Sequence, residues 1–93
     1  MRTIEPTSAF KRDFKREARG RHAKLLQAEL PILLQLLADD LPLDTRFRDH
    51  ALTGEWKDHR DCHIRPDLVL IYRKPDGKTL QLVRLGSHSE LGL

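Results

Sequence analysis

Four histidines stand in the second half of this 93-residue chain, at His50, His59, His63 and His88. They fall in three polar segments: Arg48-Asp49-His50, the run from Trp56 through Asp58, Arg60, Asp61, Cys62 and Arg65 to Asp67, and Gly86-Ser87-His88-Ser89. A domain of this size has little need of so many imidazoles for packing. Histidine gives and takes protons near neutral pH, and arginine forks match phosphate oxygens. Together they point to proton transfer at a phosphate. Cleavage of RNA by its own 2′-hydroxyl needs a base for that hydroxyl, an acid for the departing 5′-oxygen, and cations around the phosphate. Each acid or base supplies roughly 10²–10⁴-fold in rate. Arg60, Arg65 or Arg84 could supply the charge, and such a reaction requires no metal or other cofactor.

A bland reading stands beside each residue. His22 and His59 read as surface groups, Trp56 as a core or edge anchor, and Asp67 as a turn cap. The other chemical reading is a zinc site from Cys62, His63, His50 and His88. The chain lacks the paired CxxC or HxxxH spacing that marks such sites.

The elements that must position these groups follow from the apolar pattern. Thr3-Ile4-Glu5-Pro6 reads as a short first strand, stopped by proline. Thr7 or Ser8 offers an N-cap for a helix over Ala9–Arg19, with Phe10, Phe14 and Ala18 as its stripe. Gly20 stops it. A second helix over His22–Ala38 carries Leu26, Leu30, Leu33 and Leu37, widened by Leu25, Ile32 and Leu36. Pro31 inside it should kink or restart the helix. The short link makes the two an antiparallel hairpin.

Residues 39–49 read as an irregular connection. Three strands follow: Glu55–Ile64, Leu68–Tyr72 and Thr79–Leu85. Leu68–Tyr72 is apolar on both faces, which marks a central strand. Lys74-Pro75-Asp76-Gly77 is a turn signal. Alternation along Glu55–Ile64 puts Lys57, His59, Asp61 and His63 on one face, with Trp56, Asp58, Arg60 and Cys62 on the other. The expectation is an α+β fold of order β-α-α-β-β-β, one domain over residues 1–93. A small, mainly antiparallel sheet has the helical hairpin on one face and the other face free for function. If the three strands are neighbours, His63, Asp67 and His88 converge at one edge, and His50 reaches them from the loop.

A net charge of +3 is modest but uneven. Residues 1–30 hold eight Lys/Arg against four Asp/Glu, and residues 31–93 hold nine against ten. The excess lies in Lys11, Arg12, Lys15, Arg16, Arg19, Arg21 and Lys24 on the first helical segments. Such a patch favours a polyanion, although a solvated helix face looks the same in sequence. The single Cys62 fits a reducing compartment, and no stretch is apolar and long enough to span a bilayer. A cytoplasmic chain with no membrane partner is expected.

Taken together, Arg48 to Trp56, Arg60 to Tyr72 and Val83 to Leu91 resemble the YafQ family of bacterial toxins, within the RelE/ParE superfamily. The leucine-rich helical hairpin is similar too, so the likeness covers nearly the whole chain. The resemblance implies a RelE-like fold and a ribosome-dependent mRNA endonuclease, the toxin of a type II toxin–antitoxin pair. It implies cleavage of the codon in the ribosomal A site, leaving a phosphate or cyclic phosphate and a 5′-hydroxyl. The partners implied are a cognate antitoxin, the ribosome with its rRNA, and mRNA, with operator DNA reached only through the antitoxin. Carried over by motif, the catalytic candidates are His50, His63, Asp67 and His88. His88 would be the acid and His50 the base or its assistant. Asp67 would orient a histidine or take the proton itself, and His63 would hold the phosphate or share the proton. The RNA- and ribosome-binding candidates are Lys11, Arg12, Lys15, Arg16, Arg19, Arg60, Arg65 and Arg84. The family's usual phenylalanine after Leu91 is replaced by Gly92, so an aromatic contact to a base would be missing or would fall to Trp56 or Tyr72. A gyrase-binding ParE-like toxin or a catalytically weakened, antitoxin-binding module are the alternatives.

Overall fold

A computed structural model describes all 93 residues, Met1–Leu93. The chain runs β1 (Thr3–Pro6), α1 (Ser8–Ala18), α2 (Ala23–Ala38), β2 (His50–Ala51), β3 (Arg60–Arg65), β4 (Leu68–Arg73), β5 (Thr79–Gly86) and α3 (His88–Leu91). The sheet order is β1-β5-β4-β3-β2. β1 lies parallel to β5, and the other three pairings are antiparallel. The expected α+β architecture is present, and β4 is the middle strand. Its Leu68, Leu70 and Tyr72 join the main core, while Val69 and Ile71 join a second one on the opposite face.

Local chemistry accounts for the helices. Thr7 caps α1, its hydroxyl accepting from the Phe10 N–H at 3.0 Å. The buried face of α1 is Phe10 with Asp13, rather than the expected apolar stripe, because Phe14 and Ala18 are exposed. Leu26, Leu30, Leu33 and Leu37 of α2 are buried as their spacing requires. Ile32 is 64% exposed and does not widen that stripe. α2 continues unbroken through Pro31, which sits on the exposed side where a lost N–H bond costs least. Among the core leucines a truncation to alanine costs about 2–5 kcal/mol.

Of the strand expected over Glu55–Ile64 only the part from Arg60 forms, and it runs on to Arg65. Gly54 and Asp58 adopt left-handed backbone (φ 67° and 70°), and Gly54–Trp56 closes a 3-10 turn. Burial decides this. Trp56 turns onto Val69, Ile71 and Leu91, and its indole N–H donates to the Leu91 carbonyl at 3.4 Å. The polar alternation of residues 55–59 offers nothing comparable. Lys57 and His59 therefore leave the face they were expected to share with Asp61 and His63.

The second sheet face is thus partly covered, by Leu52, Trp56 and α3, and not wholly free. His50 lies in a short strand rather than in a loop, pairing with Asp61 across β2 and β3.

Candidate active site

β3, β4 and β5 bring three distant segments to one corner. β3 ends at Arg65, Pro66 and Asp67 make the turn, and Val69 pairs with Gly86 at the end of β5. A β-bulge lies between His63 and Arg65, a feature that re-aims side chains beside functional sites. Cys62 and Ile64 point into the main core, so Asp61 and His63 face the other way. Ser87 caps α3 in a reciprocal capping box with Glu90, which fixes His88 at the first helical position.

The result is a chain of five groups. The Asp67 carboxylate accepts from the His88 backbone N–H at 2.9 Å and from His88 Nδ1 at 2.7 Å. His88 Nε2 meets His63 Nε2 at 3.1 Å. His63 Nδ1 looks toward Asp61 Oδ1 at 4.0 Å, and the same Asp61 oxygen lies 3.1 Å from His50 Nδ1. His50 Nδ1 also reaches the Arg48 carbonyl at 2.7 Å. Of the four catalytic candidates, the structure brings all of them into this chain. Asp67 spends its carboxylate on His88 rather than on capping its own turn.

Tautomers follow from the partners. A carbonyl only accepts, so His50 Nδ1 carries a proton directed at Arg48, and in the neutral form of that ring the lone pair is on Nε2. Hydrogen bonds from the backbone and ring of His88 hold Asp67 below its ordinary carboxyl pKa, so it accepts from His88 Nδ1–H. The 3.1 Å contact between two Nε2 atoms needs one proton between them. Placed on His88, it leaves His63 with a protonated Nδ1 facing the Asp61 carboxylate. Placed on His63, it leaves a bare buried nitrogen there. The first arrangement is the better satisfied. Burial also pushes the His63 pKa down; Asp61 pulls it up, while His88, His50 and Arg48 push it down further.

Asp61, which is not among the expected site residues, joins the histidines here. Only 2% of it is exposed, and burial pushes its carboxyl pKa up against the pull of His50, His63 and His88. Its Oδ1 and His63 Nδ1 are buried with no aligned hydrogen bond, and His50 Nδ1–H points at Arg48 instead. The signal was there in its alternation with His63, two residues on. A carboxyl whose folded pKa lies above its unfolded value binds its proton more tightly when folded, so stability falls as pH rises through that interval. Asp61→Asn is therefore expected to raise the Tm at neutral pH, with the gain shrinking toward about pH 4 as the wild-type group protonates. It should also slow any chemistry that uses His50 and His63. Thermal melts across that pH range check it; an unchanged or lowered Tm at neutral pH would contradict it.

The remaining candidates separate. Lys11, Arg12, Lys15 and Arg19 are exposed on and just after α1, with no carboxylate partner. Arg16 is drawn to Asp13, Glu17 and Glu90, and Arg84 to Asp13 at 2.6 Å. Arg60 pairs with Asp49 at 3.3 Å and Arg65 with Glu29 at 2.7 Å. Neither aromatic expected to replace the missing phenylalanine is free. Trp56 is packed, and Tyr72 is 1% exposed with its hydroxyl donating to Asp49. Gly92 itself takes left-handed backbone (φ 71°) and ends α3. Cys62 is buried on the helix side of the sheet, away from the histidines, so the set considered for zinc does not form.

The chain is similar to known proteins along its length. Residues 2–92 match a family model described as the bacterial toxin of a type II toxin–antitoxin system, YafQ. The mRNA interferase toxin YafQ of Escherichia coli K12 is 40% identical over 92 residues, covering 98% of this chain and 96% of that protein. In the solved E. coli DinJ-YafQ complex, the matching chain has a TM-score of 0.80 at 38% identity, covering 98% of both chains. A metal-bound toxin from Helicobacter pylori has a TM-score of 0.80 at 41% identity, covering 98% of this chain and 99% of its own.

Proposed function

The chain belongs to the YafQ family of toxins of type II toxin–antitoxin systems, and on that footing we propose that it is a ribosome-dependent endoribonuclease that cuts mRNA in the A site. The observation that carries this reading is the run from Asp67 through His88 to His63. It presents an oriented imidazole, ready to give up a proton, at an open corner of the sheet.

The chemistry assigned to these residues balances without a metal. The 2′-hydroxyl loses its proton to His50 Nε2, and its oxygen forms a bond to phosphorus. The bond from phosphorus to the 5′-oxygen breaks, and His88 Nε2 protonates that oxygen. The products are a 2′,3′-cyclic phosphate and a 5′-hydroxyl. Base and acid must stand on opposite sides of the phosphorus. Nitrogens of His63 and His88 only 3.1 Å apart leave no room for a phosphate between them. That spacing favours His50 as the base, with His63 against the phosphate and sharing the proton on His88. Asp67, held ionised, is a positioning residue and a poor base.

Ribosome binding is assigned to the unpaired cations of α1. We expect the triple variant Lys11→Glu, Lys15→Glu, Arg19→Glu to lose most mRNA cleavage while its melt stays within about 0.5 kcal/mol of wild type, as surface changes do. Cleavage should fall with salt as phosphate contacts are lost. A folded triple variant that cuts at the wild-type rate would reject this role. The reading as a whole is tested by offering the same mRNA naked and on programmed ribosomes. Cutting confined to the ribosome supports it. Cutting on neither, with gyrase inhibited instead, would assign the chain to the ParE-like alternative.

The E. coli relative has been solved with DinJ, and a cognate antitoxin is the partner proposed here, with operator DNA reached through it. A groove of about 470 Å³, lined by Ile4, Phe10, Phe14, Leu26, Leu30 and Leu34 among others, offers an apolar surface beside Lys11 and Lys15. It suits an amphipathic acidic segment.

A further inference from the structure

A second basic feature opens beside the reaction centre. Arg46, Arg48, His63, Ile64, Arg65 and Pro66 line a cleft of about 300 Å³. His63 is a wall of this cleft and a member of the acid–base chain, so the cleft adjoins that chain. The cleft is about the size of the smallest ligand pockets.

Its cations are held in place and only partly neutralised. Asp44 caps the 3-10 turn Thr45–Phe47, accepting from the Arg46 N–H at 2.9 Å. The Arg46 guanidinium lies 4.7 Å from the centre of the Phe47 ring. Arg48 ends that turn in left-handed backbone (φ 48°), a conformation costly for a residue with a β-carbon. The same residue's carbonyl fixes His50. Glu29 and the Ile64 carbonyl restrain Arg65. Arg46 and Arg48 have no carboxylate within ion-pair distance. Two uncompensated guanidinium groups beside a catalytic imidazole, in a concave site, fit a phosphodiester better than a neutral ligand.

We propose that Arg46 and Arg48 form a subsite for a phosphodiester of the mRNA adjacent to the one that is cut. This inference rests on the nuclease reading above and adds to it a positioning role for two residues outside the acid–base set. The subsite would fix the strand so that the scissile phosphate meets His63, and would act mainly on binding.

The test is steady-state cleavage of a short mRNA on programmed ribosomes by wild type, Arg46→Gln/Arg48→Gln and Arg46→Lys/Arg48→Lys. The glutamine pair should raise KM about 10- to 100-fold, the range for losing hydrogen bonds to a charged group, with kcat little changed. The lysine pair should recover part of that loss. The slope of log KM against log salt should fall by about 0.7 for the phosphate no longer neutralised, which a merely structural role would not produce. An mRNA carrying a neutral methylphosphonate one linkage to either side of the cut should raise KM for wild type but not further for the glutamine pair. Arg46→Gln alone, which leaves the left-handed residue Arg48 unchanged, serves if the double variant melts early. A wild type that cuts no mRNA would remove the underlying reading. A wild type that cuts, beside a folded glutamine pair with unchanged KM, would overturn the subsite alone. If the arginine variants weaken binding but the neutral linkage does not, the phosphate belongs to the ribosome and the assignment to mRNA is wrong.

Discussion

His88→Ala is expected to lower the rate of mRNA cleavage about 10²–10⁴-fold, the usual cost of losing a positioned proton donor. The departing 5′-oxygen is a poor leaving group unless protonated as its bond to phosphorus breaks. In this site the only imidazole backed by a directly hydrogen-bonded, ionised carboxylate is His88, with Asp67 at 2.7 Å. His63 cannot simply take over, because its proton faces the buried Asp61. The loss should be kinetic and not structural. His88 is 40% exposed on its side chain, and Ser87 and Glu90 still cap α3 without it. The variant should therefore melt like wild type and still bind antitoxin, while no longer inhibiting growth. A substrate with sulfur in place of the bridging 5′-oxygen leaves without protonation. It should restore cleavage to His88→Ala but not to His50→Ala. Full cleavage of the ordinary mRNA by His88→Ala would remove it from the role of acid.

Asp13→Ala is expected to be the most damaging single change to stability outside the hydrophobic core. Asp13 is 3% exposed on the inner face of α1. It accepts from Arg84 Nε at 2.6 Å, from Arg16 Nη1 at 3.0 Å and from the buried Leu85 N–H at 3.0 Å. Burial works against its ionised form, but the hydrogen bonds from Arg84 and Leu85 outweigh it and hold the pKa below the ordinary value. Truncation leaves an N–H unpaired and two guanidinium groups facing each other. A cost of about 3 kcal/mol follows, at the low end for breaking a buried pair because both arginines keep some contact with water. In a domain of this length that lowers the Tm by roughly 12–24 °C. A carboxyl with a lowered folded pKa stabilises above its unfolded pKa and loses that contribution as pH falls through the folded one. The gap between wild type and Asp13→Ala should accordingly close in acid, below about pH 4. A Tm within a few degrees of wild type at neutral pH would contradict this account of how α1 is fastened to β5.

Asp13 also shows where sequence reading stops. Helix spacing made α1 a basic helix with a phenylalanine stripe, and Arg16 and Arg84 both looked free for RNA. Nothing local says that residue 13 will meet residues 84 and 85 across the sheet. Other features were legible because they are local or periodic. The doubly apolar run Leu68–Tyr72 could only be a central strand, and the leucines of α2 fixed its buried side. The turn at Pro66 and the length of β5 made the meeting of His63, Asp67 and His88 foreseeable. Residues 50–59 were not. A polar alternation looked like strand, but the burial of Trp56 under α3 depends on Leu91, which is far along the chain. That fold-back takes His59 off the face expected for His63 and turns His50 into the strand partner of Asp61. The role of Asp61 was hidden for the same reason, since its importance comes from burial beside His50 and His63.

On the proposed reading, these groups cut mRNA by proton transfer alone, on the ribosome. The most direct measurement strips the purified toxin with a chelator, desalts it, adds it to programmed ribosomes and identifies the ends of the cut mRNA. Magnesium stays in the ribosome buffer, so only metal carried by the toxin is removed. The expected result is one cut within the A-site codon at the unstripped rate, leaving a 5′-hydroxyl and a 2′,3′-cyclic or 3′-phosphate. A 5′-phosphate at the cut, or activity lost on stripping and restored by a transition metal, would contradict it.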